Sequence, residues 1–200
     1  MDQQTKSLLI IFYRNPKIGA VKTRLAATVG NQKALDIYRK LSLHTRAITE
    51  NLKVDKIIFY SDAIDLMDIW SNATYLKAMQ AGEDLGEKMK QAIVAAFETG
   101  YTSICIIGTD CVDLTGEIIH EAFEELESVD AVIGPASDGG YYLLGMNKPY
   151  VEVFNNKHWS TDTVLQQTID DFESLNLLYV KLEVLTDIDT EDDLPEEWRD

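Results

Sequence analysis

The chain has 200 residues, 46% of them apolar and 26% charged, and its 18 basic and 34 acidic side chains give a net charge of −16. That balance excludes non-specific binding to nucleic acid or anionic lipid, because phosphate surfaces repel such a chain. Cys105 and Cys111 are too few for a disulfide framework, and the polar opening with its short first apolar run is neither signal nor membrane segment, so a cytoplasmic protein is expected.

Residues 8–13 (LLIIFY) form a continuous β-prone run, the pattern of a strand buried on both faces. Ala34, Tyr38, Leu41, Thr45, Ile48 and Leu52 then recur at steps of three and four, predicting a helix of about five turns. Strand-like runs return at 57–60 (IIFY) and 104–107 (ICII). Between them Leu85, Met89, Ala92, Ile93, Ala96 and Phe97 outline a second helix that Gly100 stops. Ile118, Ile119, Ala122, Phe123 and Leu126 outline a third, with Thr115 as its N-cap.

Segments 131–134 (AVIG) and 141–144 (YYLL) are short strands with too little chain between them for a crossover helix. They run antiparallel or are joined by a wide loop, so the sheet is mixed. A helix over about 161–175, a strand near 178–184 and a last short helix, where Thr190 and Asp193 have capping-box spacing, close the chain. The alternation predicts an α/β fold of three layers, α/β/α, around a mostly parallel mixed sheet. No repeat, low-complexity tract or linker interrupts it, and one domain over 1–200 is expected.

Four of the cations, Arg14, Lys17, Lys22 and Arg24, fall within eleven residues after the first strand. Arg grips phosphate oxygens bidentately, Lys adds a compact charge, and Gly19 allows close backbone approach. The loop leaves the carboxyl end of a strand, where open α/β sheets bind ligands. It is neither a P-loop nor a G-x-G-x-x-G fingerprint. The competing reading is a solvated basic loop offsetting nearby carboxylates.

Asp110 and Asp113 follow the strand at 104–107. Mg²⁺ accepts one or two protein carboxylates completed by phosphate oxygens and water, so Asp110 is a candidate ligand. Asp113 is a second ligand or a cap for the next helix. Asp187 and Asp189 alternate in an extended segment, with Ile188 directed to the opposite face. They complete the coordination only if folding brings them to Asp110. Asp138-Gly139-Gly140 is a turn before a strand, or a place where backbone meets a bound substrate. Trp159 is core or acceptor contact, Ser160 or Thr161 caps the following helix, and His158 has no assigned partner for a base role. The polar stretch from Gln80 to Met89, with Gly82 and Asp84, touches a nucleoside or caps its helix.

Taken together these segments resemble a known family. Phe12-Tyr13-Arg14-Asn15-Pro16 and Lys22-Thr23-Arg24-Leu25 are similar to the F-x-R-x-P…G-x-V-K-T-R-L opening of the selenodomain-associated transferase type 1, or arsenosugar-biosynthesis glycosyltransferase, family of the nucleotide-diphospho-sugar transferase superfamily. The resemblance continues, in order, through Gly82 to Met89, Gly108-Thr109-Asp110, Gly134 to Gly145, Trp159-Ser160-Thr161 and Asp187 to Leu194. Val112 stands where that family usually has Pro, and Tyr13 where a small residue is usual, which narrows the nucleotide pocket. The layout is also similar to phospholactate and molybdenum-cofactor guanylyltransferases.

The resemblance implies a Rossmann-like GT-A fold. It implies Mg²⁺ or Mn²⁺ on Asp110 and Asp189, with Asp187 as substitute or third ligand. Arg14, Lys22 and Arg24 would hold the phosphate chain, with Lys17, Gly19 and Thr23 in the same loop and Gly82 and Asp84 beside the nucleotide. Asp138, Gly139, Gly140 and Trp159 would face the acceptor, and Lys22, Asp110 and Asp138 form the expected catalytic set. The expected reaction is nucleotidyl transfer from a nucleoside triphosphate to a small phosphorylated acceptor, whose phosphate is already ionised near pH 7 and needs no protein base. The alternatives are glycosyl transfer from a nucleotide-sugar, with Asp138 as base, and a non-catalytic nucleotide-binding module. The expected partners are thus a nucleotide or nucleotide-sugar and a small-molecule acceptor, with no nucleic acid and no membrane.

Overall fold

In a computed structural model, which describes residues 6–199, the chain runs β1 (Ser7–Tyr13), α1 (Thr23–Val29), α2 (Asn31–Thr49), β2 (Asp55–Tyr60), β3 (Leu76–Met79), α3 (Leu85–Glu98) and β4 (Ser103–Ile107). It continues with α4 (Gly116–Glu125), β5 (Ala131–Pro135), β6 (Tyr141–Met146), α5 (Val164–Ser174) and β7 (Tyr179–Lys181), and has 3-10 turns at Val151–Phe154 and Glu196–Trp198. The polar opening, 1–5, lies outside the described residues, as does Asp200.

The seven strands form one sheet in the order β3-β2-β1-β4-β6-β5-β7. All pairings are parallel except those of β6, which runs against both β4 and β5. Successive side chains of a strand serve opposite faces. Leu9, Ile11 and Tyr13 therefore pack with Tyr38, Ile119 and Phe123 on one side of the sheet. Leu8 and Ile10 pack with Met89, Ile93 and Phe172 on the other. Helices α2 and α4 cover the first face and α3 and α5 the second, giving the three layers expected. The chain builds outward from β1 through β2 to β3, then returns to the other side of β1 with β4. That reversal is the point at which α/β sheets open a crevice.

Five differences from the expected elements stand out. Helix α1 was not foreseen: it has seven residues and buries only Leu25, too few for a periodic stripe. Strand β3 was not foreseen either, since this edge strand has no fully buried residue. The seventh strand is only three residues long, and α5 begins at Val164 rather than near 161, the chain reaching it through a left-handed residue at Ser160, φ 63°. The short helix expected at 190–194 does not form. Its cap contacts do: Asp193 Oδ2 accepts from Thr190 N at 2.7 Å and from Thr190 Oγ1 at 2.8 Å. Pro195, however, disfavours helical backbone at Leu194, and only a 3-10 turn follows. Among the described residues no helix is long and apolar enough to cross a membrane.

Candidate active site

Because β6 alone runs backwards, the loops after β1, β2, β3, β4, β5 and β7 all leave the same edge of the sheet. They bound a cavity of about 630 Å³ whose lining includes Arg14, Lys22, Asp110, Asp138, Trp159 and Asp189.

Lys22 is the centre of the charge arrangement. It precedes α1 in left-handed backbone, φ 47° and ψ 49°. Its Nζ lies 2.9 Å from Asp110 Oδ1 and 3.3 Å from Asp189 Oδ1, with the side chain only 5% exposed. Arg24 reaches the other oxygen of Asp189 at 3.3 Å. Burial by itself would lower the Lys22 pKa; Asp110 and then Asp189 more than offset it, so the ammonium is held above its ordinary value.

The two acidic loops are tied together by backbone. The N–H of Ile188 donates to the carbonyl of Asp110 at 2.9 Å, and Cys111 and Asp187 form an antiparallel bridge. Ile188 itself is buried with Leu25, Ile37 and Leu41. That apolar anchor turns Asp189 toward Lys22. Asp187 lies outside the cavity lining, beside Cys111. Burial, then the charge of Asp110, pushes its carboxyl up to about 7, with Lys22 opposing.

The first loop is held from below by Tyr38. Its hydroxyl accepts from Arg14 N at 3.0 Å and donates to the carbonyl of Arg14 at 2.7 Å, while Thr109 Oγ1 donates to it at 3.4 Å. Sequence reasoning saw Tyr38 only as part of a helix stripe, and no local pattern marks its hydroxyl. Ser61, also on the lining, carried no signal as a site residue either, whereas Gln80, Leu85, Lys88 and Met89 of the stretch expected beside the nucleoside do reach the lining.

At the far wall Asp138 Oδ1 accepts from Gly140 N at 2.8 Å, closing the turn. Gly139 has φ 87°, and a Cβ there would come within 2.1 Å of the Asp162 carbonyl oxygen. Asp138 and Gly140 line the cavity; Gly139 is turned toward Asp162 and does not. The Trp159 indole lies on Gly86 of α3, where a Cβ would approach it to 2.2 Å.

Of the phosphate-loop candidates, Arg14, Lys22, Thr23 and Arg24 line the cavity, whereas Lys17, Gly19, Gly82 and Asp84 sit outside its lining. Lys17 pairs with Asp62 at 3.1 Å. Asp84 accepts from Glu87 N at 2.8 Å and so caps α3. Asp113 is exposed and Thr115 caps α4 instead, accepting from Ile118 N at 3.2 Å. His158 is exposed and outside the lining.

The donor set suits a hard cation. Asp110 and Asp189 offer carboxylate oxygens to one point, already occupied by an ammonium, and both keep exposed surface toward the cavity. Among the described residues no group of three His, Cys, Asp or Glu side chains forms a metal cage. A pair completed by phosphate oxygens is nonetheless the arrangement that Mg²⁺ or Mn²⁺ accepts.

A family model described as an uncharacterized protein conserved in bacteria, DUF2064, matches residues 44–161, more than half of the chain. The chain belongs to the DUF2064 family. The crystal structure of a Desulfovibrio desulfuricans G20 protein, provisionally named a nucleotide-diphospho-sugar transferase, is 34% identical, with a TM-score of 0.85 over 94% of this chain and 84% of that one. At that identity and coverage this DUF2064 chain belongs to the same family as that protein and is a transferase. Two more distant structures share the fold alone. The 4-diphosphocytidyl-2C-methyl-D-erythritol synthase of Anaerococcus prevotii is 12% identical, with a TM-score of 0.61 over 94% of this chain and 92% of that one. The inositol-1-phosphate CTP transferase of T. maritima is 13% identical, with a TM-score of 0.55 over 98% and 94%. No curated protein matches the sequence.

Proposed function

We propose that this DUF2064 protein transfers a nucleotidyl group from a nucleoside triphosphate to a small phosphorylated acceptor. The observation that carries the reading is the meeting of Lys22 with Asp110 and Asp189 on the wall of one cavity, with Arg14 and Arg24 beside them. An acceptor phosphate oxygen attacks the α-phosphorus, a new P–O bond forms, the α–β bridge breaks and pyrophosphate leaves. Lys22, Arg14 and Arg24 orient the triphosphate and neutralise charge on its oxygens, which supplies most of what such transfer needs. Asp110 and Asp189 would hold Mg²⁺ or Mn²⁺, with Asp187 as a third carboxylate behind them. When bound, that ion supplies further neutralisation and in-line positioning. The acceptor phosphate is ionised near pH 7, so the reaction needs no protein base, and among the described residues no histidine lines the cavity. The 34% identity to a protein named for nucleotide-diphospho-sugar transfer supports the same class.

Glycosyl transfer from a nucleotide-sugar is the second reading, favoured by the Asp138 carboxylate on the cavity wall, a base for an acceptor hydroxyl. It accords with the resemblance to the selenodomain-associated transferase type 1 family. The released product separates the two: pyrophosphate from a triphosphate supports the first, and nucleoside diphosphate from a nucleotide-sugar the second. Nucleotide binding without a product in any acceptor screen would point to a non-catalytic module. We also read residues 1–200 as one domain of a cytoplasmic protein.

A further inference from the structure

The crevice opens where β1 and β4 part. Their last register pair is Ile11 with Ile107; beyond it one branch leads to Arg14 and the cations, the other to Thr109 and Asp110. The Tyr38 hydroxyl, on α2, bonds to both branches of that fork. It donates to the Arg14 carbonyl at 2.7 Å and accepts from Arg14 N–H at 3.0 Å and Thr109 Oγ1 at 3.4 Å. These bonds use the one donor and both lone pairs that a phenol has. Tyr38 and Thr109 are buried, and the Tyr38 ring stacks on Tyr13 of β1 with centroids 6.1 Å apart. The hydroxyl thus does for Arg14 what a paired residue on a neighbouring strand would do, engaging its N–H and C=O together.

Arg14 differs from the other cations of its loop. Lys17 is paired with Asp62, Lys22 with Asp110 and Asp189, and Arg24 with Asp189. Arg14 is exposed, lines the cavity and has no carboxylate partner among the described residues. Its backbone is clamped at both polar atoms while its charge is uncommitted. A charge carried on fixed backbone loses less freedom when an anion arrives, and preorganisation of that kind raises affinity. A tyrosine that only filled the core would need one acceptor for its hydroxyl. Here every bond goes to a loop that carries the site.

We infer that Tyr38 is a positioning residue whose hydroxyl sets the spacing between the Arg14 cation and the Asp110 carboxylate, and that the grip on a triphosphate depends on it. With its hydrogen-bonding capacity filled, the hydroxyl acts through those two residues and not on a ligand itself. This rests on the nucleotide reading above and adds a residue of the α2 core to what determines affinity.

Calorimetry with ATP, CTP, GTP, UTP and inorganic tripolyphosphate, each with MgCl₂, tests it on the wild type, Tyr38→Phe, Arg14→Ala and the double variant. Tyr38→Phe should weaken the tightest-binding of these about tenfold, the worth of one good hydrogen bond, and leave the corresponding nucleoside unchanged. Arg14→Ala alone should show a like loss. In the Arg14→Ala background Tyr38→Phe should cost about threefold or less, because a residue that acts through another does not add to it. Unchanged affinity in Tyr38→Phe, a tenfold loss in both backgrounds, or an equal loss of the nucleoside would overturn the positioning role alone. Thr109→Val keeps the branched shape and removes only the donated bond, so it tests the fork even if Tyr38→Phe does not fold. It should melt within about 3 °C of the wild type and bind the same ligand about threefold more weakly. Wild-type affinity in Thr109→Val would likewise overturn the role. Failure of the wild type to bind tripolyphosphate or any of the four nucleotides would overturn the nucleotide reading as well.

Discussion

Lys22 Nζ and Asp189 Oδ1 stand 3.3 Å apart although 167 residues separate them in the chain. The ammonium is lodged between Asp189 and Asp110, two carboxylates that repel each other without it. Lys22→Met should therefore lower the stability of the metal-free protein by about 1–3 kcal/mol, less than a fully buried pair because both aspartates keep solvent contact. Millimolar MgCl₂ should restore part of the loss and raise the melting temperature more in this variant than in the wild type. Equal Mg²⁺-induced shifts in the two proteins would count against a shared cation site.

Asp110 has a side chain 47% exposed and supports no packing of its own. Asp110→Ala should leave the melting temperature within a few degrees, about 1 kcal/mol, and lower Mg²⁺-dependent nucleotide affinity about 100-fold. Calorimetry with and without the ion measures both parts. Unchanged affinity would remove the assigned metal role.

Arg24 is 66% exposed and reaches Asp189 from outside. Arg24→Ala should weaken a nucleoside triphosphate about tenfold while leaving the bare nucleoside unaffected, because a charged guanidinium acts on phosphate oxygens. Equal losses for both ligands would make the loop's role structural.

The Asp187 carboxyl is pushed up to about 7, first by burial and then by Asp110. A raised folded-state pKa contributes stability that is present below the usual carboxylate range and is lost as pH climbs through about 7. Asp187→Asn carries no such loss. In metal-free buffer the variant should match the wild type near pH 4 and exceed it by about 1–3 kcal/mol at pH 8. Denaturant titrations at the two pH values check this, and a constant difference would be contrary evidence.

Gly139 adopts φ 87° with the Asp162 carbonyl oxygen at the position a side chain would take. Gly139→Ala should cost about 1–3 kcal/mol and displace the Asp138 turn. Acceptor affinity should fall while triphosphate affinity holds. Loss of both to the same degree would place the two ends of the cleft in one cooperative unit.

Much of the framework was legible because β1, β2 and β4 lie under helices on both faces and so read as unbroken apolar runs. Strand β3 was hidden for the opposite reason: Leu76, Lys77, Ala78 and Met79 sit at an edge where no side chain is fully buried. Asp193 shows the limit of a local rule, since its capping contacts form with Thr190 but Pro195 prevents the helix. In the site, Lys22, Asp110 and Asp189 each announced themselves by following a strand or flanking one. What brought them together was not visible locally, because it depends on Ile188 N–H meeting the Asp110 carbonyl. Tyr38 was opaque, as a core tyrosine looks the same whether or not its hydroxyl holds a distant loop.

The reversed direction of β6 has a bearing on how such a protein can diversify. Asp138 and its glycines hang from a hairpin whose two strands brace each other, whereas Lys22 and Arg24, at the start of α1, and Asp110, in the loop after β4, follow the central parallel strands β1 and β4. The hairpin tip is nonetheless tied to the segment that carries Asp189, since Ser137 N–H donates to the carbonyl of Leu185 at 2.9 Å, so a change of the wall at Asp138 is felt at the carboxylate that meets Lys22.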